Sequence, residues 1–452
     1  MNAPLMVVVM AAGKGTRMKS ALPKVLHPVC GEPMLGHVLH LAEALQRQSC
    51  YVIVGHGADE VQRFVGTRGV CVVQEPQNGT GHAVQQVLPY LQGFDGDVVI
   101  LSADVPLVTR EVTEALLVER RKNTGPLTML TARVLQSPSL GRVLVDQNGH
   151  VTRIVEAREC TPEQRQVDEV NAGVYCASAA FLREYLPRIG MANVQNEIYL
   201  TDLVVLATRD GRAVSRVLWE DPAVTLGINT RVELAAVDAI MRRRLLEALM
   251  LAGVTIIDPA ATYVDAGVSV GQDSVLLPGT MLHGKTRIGK NVQVGPQTRI
   301  IDSEVGDGAA IQNSVVLEAR IGPLCTVGPF AYLRPGTVLA EGVKVGDFVE
   351  IKNATIAEGS KVPHLSYVGD ATIGRHVNIG AGTITCNYDG KHKHRTTLGD
   401  NVFIGSNTNL VAPVTLGNGA STGAGAVVTK DVPDNTVVVG VPARVLKSRV
   451  QA

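Results

Sequence analysis

A glycine-rich turn near the start of the chain carries the first residues with the means to do chemistry. Residues 11–17 read AAGKGTR, directly follow the apolar run Leu5–Met10, and precede Lys24 by seven residues. Glycines lack a Cβ, so the backbone N–H groups can approach an anion, and a following helix would point its positive N-terminus at the same place. Lysine and arginine add full charges. The spacing matches neither a Walker loop nor a dinucleotide fingerprint, and it predicts a phosphate-binding turn.

A carboxylate follows a second apolar run. Val98–Leu101 predicts a buried strand, and Asp104 stands just beyond its end, before Pro106. Ligands of parallel sheets bind at the carboxyl ends of the strands, and Mg²⁺ prefers oxygen ligands. Asp104 is therefore predicted as a metal ligand facing the phosphate-binding turn, although an aspartate at a strand end is also common in ordinary turns.

One histidine in the second half of the chain, His364, has a position that suits a catalytic base. His364 follows Pro363 and lies in a turn rather than at an inward position of the surrounding repeat. An imidazole can take a proton from an amine, although a lone histidine on such a repeat is more often structural. Residues 386–397, CNYDGKHKHRTT, abandon the repeat and are rich in polar and cationic groups. A repeat protein usually interrupts its stacking to build a binding loop.

Three successive sequence patterns along the chain predict the elements that position these residues. Up to about Asn229, short apolar runs alternate with helical patterns, which predicts a mostly parallel sheet. Thr230–Leu251 predicts a long helix, because Thr230 and Glu233 have the spacing of a capping box. Beyond about Val264 an aliphatic residue, often followed by glycine, recurs every six residues, which predicts a parallel β-helix with three hexads in each triangular coil.

Composition excludes several classes of function. Lys plus Arg and Asp plus Glu number 42 each, so no basic field exists to attract nucleic acid. The seven cysteines are odd in number and form no C-x-x-C pair, which favours unpaired thiols in a reducing compartment. No apolar run approaches the ~20 residues that cross a bilayer. We therefore expect a soluble cytoplasmic protein without membrane or nucleic-acid partners.

The pattern G-x-G-T-R…P-K after an N-terminal strand resembles that of the sugar nucleotidyltransferases, which join a sugar phosphate to a nucleoside triphosphate. Nearly end to end, the chain resembles the bacterial bifunctional N-acetylglucosamine-1-phosphate uridylyltransferases and glucosamine-1-phosphate N-acetyltransferases. This resemblance implies an α/β Rossmann-like nucleotidyltransferase domain at 1–229, a linker helix at 230–250, and a left-handed parallel β-helix acetyltransferase domain of hexapeptide repeats at 251–452. It further implies a homotrimer that uses UTP, acetyl-CoA, both sugar phosphates and Mg²⁺ to make a precursor of peptidoglycan and lipopolysaccharide.

The resemblance also implies roles for residues of the first half. Arg17 and Lys24 would act in catalysis together with Lys14, and Asp104 and Asn229 would hold Mg²⁺. The residues implied to bind UDP-N-acetylglucosamine are Met10, Ala11, Ala12, Gly13, Lys24, Gln74, Gly79, Thr80, Ser102, Asp104, Gly141, Glu156, Asn171 and Asn229. Within this set, Gln74, Gly79 and Thr80 match the uracil-recognition segment. Ala103 departs from the usual glycine of the family motif, which leaves the local contacts open.

In the second half, the resemblance implies that His364 is the general base. The residues implied to hold the acceptor sugar phosphate are Arg334, Lys352, Tyr367 and Asn378, and those implied for acetyl-CoA are Ala381, Asn387, Tyr388, Ser406 and Ala424. Asn387 and Tyr388 match a motif that reaches the neighbouring subunit's site. The chain lacks an arginine just before its last Val-Pro, where some relatives have one for the coenzyme, and Lys430 and Arg444 are candidates to replace it.

Two alternatives stay open at this point. The protein could be a sugar-1-phosphate nucleotidyltransferase alone, with the β-helix as an assembly scaffold, or a non-catalytic binding subunit of the same architecture. The cations of the phosphate-binding turn and Asp104 argue against a binding subunit, and the set around His364 argues against a scaffold.

Overall fold

The computed structural model describes residues 3–122, 125–135, 139–191 and 197–448. The chain divides into two compact units, Met1–Met241 and Arg242–Ala452. The first unit consists of strands and helices, as predicted for the first half of the chain, and the second is built from the six-residue repeats. The domain boundaries at 229 and 250 stay a prediction.

A nine-stranded sheet forms the centre of the described part of the first unit. Its strands are β1 Leu5–Met10, β2 Ser49–Val54, β3 Val70–Val73, β4 Asp97–Ser102, β5 Leu127–Arg133, β6 Arg142–Val145, β7 Val151–Val155, β8 Glu169–Ser178 and β9 Val214–Trp219. The order is β9-β5-β8-β4-β1-β2-β3, and β6 pairs with both β8 and β7. Alternate residues of β1 enter separate apolar clusters, Val7 and Val9 in one and Met6 and Val8 in the other, so both faces of the sheet are covered.

The sheet is mostly parallel, as the sequence pattern predicted, but one strand of its main order is reversed. β1, β2, β3 and β4 pair in parallel, but β8 runs antiparallel to both of its neighbours, β4 and β5. The chain reaches β8 from the β6–β7 hairpin, and Val170 at the start of β8 pairs with Arg142. The reversed strand therefore begins at the carboxyl edge, where it presents Asn171 beside the ends of β1 and β4.

Helices flank this sheet, and one long helix follows it. They are α1 Met34–Ala44, α2 Ala58–Val65, α3 Thr80–Gln85, α4 Leu88–Leu91, α5 Arg110–Lys122, α6 Ala179–Tyr185, α7 Asp202–Arg209 and α8 Arg231–Leu251. The predicted capping box at the start of α8 is confirmed: the Glu233 carboxylate accepts from the Thr230 N–H at 2.7 Å, and the Thr230 hydroxyl accepts from the Glu233 N–H at 3.2 Å. Within the described ranges, no helix combines the length and apolar character needed to cross a membrane.

The second unit is a parallel β-helix with three faces. The first face contains Thr255–Ile256, Val275–Leu276, Gln293–Val294, Ala310–Ile311, Thr326–Val327, Lys344–Asp347, Lys361–His364, Asn378–Ile379, Phe403–Ile404, Ser421–Thr422, Thr436–Val439 and the antiparallel Arg444–Ser448. The second contains Tyr263–Val264, Met281–His283, Arg299–Ile301, Val315–Leu317, Tyr332–Leu333, Glu350–Lys352, Tyr367–Gly369, Ile384–Cys386, Asn409–Val411 and Val427–Val428. The third contains Ser269–Val270, Arg287–Ile288, Glu304–Val305, Arg320–Ile321, Val338–Leu339, Thr355–Ile356, Ala371–Ile373, Thr396–Leu398 and Val414–Leu416.

The repeat pattern follows from how the coils stack. Equivalent aliphatic residues pair from coil to coil, as Leu276 does with Val294 and Val294 with Ile311, and they are buried. The glycine after the aliphatic residue is required by close approach, because a Cβ on Gly322 would lie 2.7 Å from the backbone carbon of Ala340 in the next coil. One coil is longer: Ile373 pairs with Leu398, and the extra residues form the loop predicted at 386–397.

Candidate active sites

A cleft of about 1320 Å³ opens in the first unit at the carboxyl edge of the sheet. Every residue predicted from the sequence to bind UDP-N-acetylglucosamine lines it, as do Lys14 and Arg17. These residues come from the ends of β1, β4 and β8 and from the loops between them. Topology brings them together because parallel strands end at one edge and β8 begins there.

The glycine-rich turn is held against the sheet by its backbone. The Ala11 N–H donates to the Ile53 carbonyl at 2.9 Å, and the Ala103 N–H donates to the Met10 carbonyl at 3.0 Å. Gly15 has φ of 60°, the left-handed region that glycine tolerates best. Only a three-residue helical turn, Thr16–Met18, follows, so the turn lacks the helix N-terminus that the sequence pattern allowed. Its positive charge therefore comes from side chains.

Three side chains converge at the mouth of this turn. The Lys24 ammonium donates to Asp104 Oδ2 at 2.5 Å and to Asn229 Oδ1 at 2.8 Å. The side chains of Lys24 and Asp104 are only 11% and 22% exposed, which strengthens the electrostatic interaction. Asp104 and Asn229 thus aim their oxygens at one point, and a cationic group lies at it.

Local hydrogen bonds fix these two oxygens. The Ser102 hydroxyl donates to Asp104 Oδ1 at 2.7 Å. The Ile228 N–H donates to the Asp104 carbonyl at 2.9 Å, so the two segments lie side by side. The Glu233 carboxylate accepts from the Asn229 N–H at 2.8 Å, which ties Asn229 to the start of α8. Asn229 is therefore positioned by the capping box that the sequence revealed.

This donor set fits Mg²⁺. A carboxylate and an amide oxygen are hard ligands, and Mg²⁺ in proteins is often bound by one or two such groups together with water and substrate phosphates. The described residues contain no cluster of three or more histidine, cysteine or acidic side chains suited to a metal, so a cage made only of protein ligands is not offered there.

A second group of polar residues in the cleft is partly or fully buried. Gln74 is 4% exposed, and its amide nitrogen donates to the Gly79 carbonyl at 2.9 Å. Burial raises the pKa of Glu156, partly offset by a hydrogen bond at 3.1 Å from the Thr201 hydroxyl. Asn171 donates to the Tyr175 hydroxyl at 2.7 Å. Gln74, Glu156 and Asn171, called here the polar wall, line the same cleft as the phosphate-binding turn.

Sequence reasoning passed over Gln77 in this cleft. Its side-chain oxygen is buried without a hydrogen-bond partner among the described residues, and it lines the cleft. A buried acceptor that lacks a partner loses hydrogen-bond energy, so this oxygen is suited to a ligand donor. The residue lies between Gln74 and Gly79 in the chain, and only its position in that segment could have singled it out.

In the second unit, one corner of the β-helix carries a column of residues from successive coils. The column, called here the corner column, consists of Asp347, His364, Ala381, Ser406 and Ala424. Backbone hydrogen bonds define it, because the residue after each member donates to the carbonyl of the member one coil earlier, at 2.7 to 3.4 Å. His364 is therefore followed along this corner by small side chains.

His364 lies at the surface and forms a hydrogen bond with a carboxylate. Its Nδ1 is 2.6 Å from Asp347 Oδ1 in the preceding coil. The side chains of His364 and Asp347 are 57% and 38% exposed. The hydrogen bond from His364 lowers the pKa of Asp347, which stays ionised.

A cationic cluster lies on the second face, next to this corner. Arg334 pairs with Glu350 at 2.7 Å, and Glu350 pairs in register with Tyr367 of the next coil. A hydrogen bond with Lys352, together with repulsion between the two ammonium groups, lowers the pKa of Lys393. Lys393 comes from the long loop and was not predicted, because no sequence spacing shows where a loop folds back.

Beside the lysines lies a buried amide and carboxylate network. Asp370 accepts from Asn387 at 2.5 Å and from Asn353 at 2.6 Å. Burial alone would raise the pKa of Asp370, but these hydrogen bonds and the charges of Lys352 and Lys393 hold it below its usual value. Asn387 also donates to the Tyr367 hydroxyl at 3.4 Å, so within one chain it contacts both Asp370 and Tyr367.

The remaining predicted residues lie on the first face, in the long loop and in the last part of the β-helix. Asn378 pairs with Lys361 on the first face, in the coil after His364. Tyr388 is 61% exposed, and its hydroxyl donates to the Gly390 carbonyl at 2.7 Å. Lys430 and Arg444 are exposed, and among the described residues neither has a hydrogen bond to the corner column.

Comparison with known families assigns a type to each unit. Residues 7–175 match the MobA-like NTP transferase domain, and residues 395–430 match the bacterial transferase hexapeptide of six repeats. The predicted fold class is confirmed: a Rossmann-like nucleotidyltransferase unit, a helix, and a left-handed β-helix of hexapeptide repeats.

Full-length relatives cover both units. The chain is 51% identical to the bifunctional protein GlmU of Heliobacterium modesticaldum, over 96% of this chain and 94% of the relative. It is 48% identical to GlmU of Desulfitobacterium hafniense, over 96% and 95%, and 46% identical to GlmU of Trichlorobacter lovleyi, over 98% and 96%. The chain thus belongs to the bifunctional GlmU family and is an enzyme with a uridylyltransferase half and an acetyltransferase half, as its motifs predicted.

Proposed function

We propose that the C-terminal unit acetylates glucosamine 1-phosphate with acetyl-CoA and that the N-terminal unit then transfers UMP from UTP to the product. The final products are UDP-N-acetylglucosamine, a precursor for peptidoglycan and lipopolysaccharide, and pyrophosphate. One observation carries this proposal: each unit brings together groups suited to one of the two reactions, in the cleft around Lys24 and in the residues around His364. A scaffold β-helix would need neither a paired histidine nor a cluster of cations.

In uridylyl transfer, a phosphate oxygen of N-acetylglucosamine 1-phosphate attacks the α-phosphorus of UTP and pyrophosphate leaves. The protein has to orient two polyanions and neutralise the charge that grows on the leaving group. Mg²⁺ bound by Asp104 and Asn229 would neutralise phosphate charge. The exposed Lys14 and Arg17 bind the triphosphate, and Lys24 turns from its two oxygen partners towards it.

The polar wall of Gln74, Glu156 and Asn171 selects the nucleotide and the sugar. Gln74 reads the uracil edge with its buried amide, and the unpartnered oxygen of Gln77 lies in the same segment. Glu156 and Asn171 accept and donate hydrogen bonds to the sugar hydroxyls and the acetamido group. Both are already held in place by protein partners, so little ordering is needed when the sugar binds.

In acetyl transfer, the neutral amine of glucosamine 1-phosphate attacks the thioester carbonyl. His364 takes the proton from the attacking nitrogen, and coenzyme A leaves as the C–S bond breaks. Arg334, Lys352 and Lys393 bind the sugar phosphate, with Tyr367 and Asn378 beside it. The small residues Ala381, Ser406 and Ala424 let the pantetheine arm lie along the corner column towards His364, and Asn387, Tyr388, Lys430 and Arg444 remain candidates for further coenzyme contacts.

We also propose that the chain assembles as a homotrimer through an apolar ridge made of Phe330, Phe348 and Leu365. These residues are 56%, 58% and 60% exposed, and the two phenylalanine rings stack with centroids 5.3 Å apart. All three have φ between 47° and 59°, a conformation that disfavours large apolar residues and suits asparagine. Contact with a second copy offsets both the strain and the exposure.

Replacing Asp104 separates the two activities. Asp104→Ala should abolish UDP-sugar formation, because one of the two protein oxygens proposed to bind Mg²⁺ is lost. It should also weaken the binding of Mn²⁺, measured in place of Mg²⁺, while acetyl transfer stays unchanged. Both reactions are measured on full-length protein, with UTP, acetyl-CoA, each sugar phosphate and Mg²⁺ omitted in turn. Asp59→Ala, at an exposed position on α2, is the matched control. Undiminished uridylyl transfer by Asp104→Ala would refute the metal assignment.

Replacing His364 should produce the opposite separation. His364→Asn should slow acetyl transfer by at least the roughly 10²-fold expected for loss of a general base, with uridylyl transfer intact. In the unmodified protein, acetyl transfer should decline at acidic pH because a protonated imidazole cannot accept a proton. His376→Asn, at another surface histidine of the β-helix, should retain full activity. If both variants acetylate equally well, His364 is not the base.

Lys393 should contribute to binding of the sugar phosphate. Lys393→Met should raise the KM for glucosamine 1-phosphate about tenfold, because a charge-assisted hydrogen bond is lost, and should leave the KM for acetyl-CoA unchanged. Lys391→Met removes an equal charge from the same loop, where only the Lys391 backbone makes a hydrogen bond, to Asp389. Equal effects of the two substitutions would mean that general charge, not a specific contact, explains the result.

The ridge can be tested through the mass of the full-length protein in solution. The single chain is 47.9 kDa, and light scattering should give three times this value. Phe348→Asn keeps a residue suited to the left-handed conformation but removes the apolar contact, and it should shift the protein towards the monomer. Leu324→Asn is the control, since Leu324 has φ of 56° and is 59% exposed on a different corner. An unmodified protein that is monomeric contradicts the proposed assembly.

A further inference from the structure

We infer that Asp347 is the positioning residue of the acetyl-transfer base: it holds His364 by Nδ1 and so leaves Nε2 to take the proton of the attacking amine. The inference rests on the proposed acetyl transfer and adds a residue that the sequence motifs did not assign. Asp347 does not itself contact the substrate in this role.

Backbone stacking fixes the two residues relative to each other. Asp347 and His364 are partners in the register of adjacent coils, and the Leu365 N–H donates to the Asp347 carbonyl at 2.9 Å. Just before Asp347, a Cβ on Gly346 would collide with the Pro363 carbonyl oxygen, so glycine permits the close approach of the coils. The side chains then meet at 2.6 Å without depending on a flexible loop.

The hydrogen bond selects one tautomer of the imidazole. An ionised carboxylate only accepts hydrogen bonds, so Nδ1 must carry the hydrogen, and the lone pair of the neutral ring resides on Nε2. His364 is more than half exposed, and no hydrogen bond joins its Nε2 to a described residue. Nε2 is therefore the nitrogen available to a substrate beside the corner column.

Charged groups near the pair lie on its own strands and on the neighbouring second face, which carries Arg334, Glu350, Lys352 and Lys393. The strand that contains Asp347 also carries Lys344, and the strand that contains His364 carries Lys361, each three residues before the pair. The next coil supplies Asn378 on the same face and Ala381 at the corner, which are uncharged. Asp347 thus makes the direct charged contact of His364 among the described residues, and its hydrogen bond with His364 holds the pKa of Asp347 below the usual range.

This arrangement has a defined role in the proton balance. The amine loses its proton to Nε2 as the N–C bond forms, and the thioester C–S bond breaks. The thiolate of coenzyme A then receives the proton from the imidazolium. Asp347 gains and loses no proton, but its negative charge stabilises the imidazolium while it exists.

The test is Asp347→Asn in the full-length protein. The change keeps the shape but removes the charge and the fixed tautomer, so kcat for acetyl transfer should fall by about 10- to 10²-fold, less than the roughly 10⁴-fold known for a buried triad aspartate because this pair is exposed. The KM for glucosamine 1-phosphate should stay constant. A fall in kcat at constant KM is expected of a residue that acts on the reacting step rather than on substrate binding.

Two controls separate this role from a structural one. Asp302→Asn changes another coil-corner aspartate, whose carboxylate accepts from the Lys285 N–H at 2.8 Å, and it should alter neither kcat nor KM. Asp347→Asn should have no further effect in a His364→Asn background, because both changes act through one group. Circular dichroism and thermal unfolding, compared with the unmodified protein, report whether the β-helix of each variant is folded.

The outcomes distinguish the inference from the function on which it rests. If His364→Asn acetylates normally, the proposed base is wrong. If His364→Asn is impaired but Asp347→Asn keeps its kcat, only the role of Asp347 is refuted. Additive losses in the double variant would likewise refute it.

Discussion

Hydrogen bonding between parallel backbone strands determines where both sites of this enzyme form. Parallel pairing brings residues that are far apart in sequence to the same level, without any contribution from their side chains. In the first unit it aligns the ends of β1 and β4, so Met10 and Ser102 lie opposite each other. In the second unit it aligns Asp347 with His364, and Glu350 with Tyr367. Chemistry is added to positions that the backbone has already set.

The two units use this constraint in different ways. The sheet ends in loops, and segments from many parts of the unit line its cleft. The polar groups of the β-helix instead lie along a corner and one face. A cleft lined by many segments suits a ligand that is held at several points, whereas a row of groups along a corner suits a long ligand that reaches the reacting atoms by one end.

Sequence patterns predicted the features that depend on local or periodic signals. The hexad repeat and the capping box at Thr230 follow from spacing, and the phosphate-binding turn and Asp104 follow from strand ends. The other cleft residues were implied by the family resemblance. The reversed direction of β8 was not predicted, because its cause is a connection through the β6–β7 hairpin. Nor were Gln77, Asp347 and Lys393, since their importance arises from the burial of one atom, from coil register and from the fold of a loop. The roles of the predicted site residues stay predictions.

The long coil of the β-helix shows how such a fold accommodates new material. Ile373 pairs with Leu398 across 25 residues, yet Leu398 pairs with Leu416 at the ordinary interval of 18. The insertion does not change the stacking of the later coils, because the chain departs from the stacked strands after Cys386 and rejoins them at Thr396. Loop closure costs rise only slowly with length, so the corner tolerates extra residues at little cost in stability. Evolution can therefore lengthen or recompose a single corner and obtain a different acceptor specificity while the rest of the molecule keeps its frame.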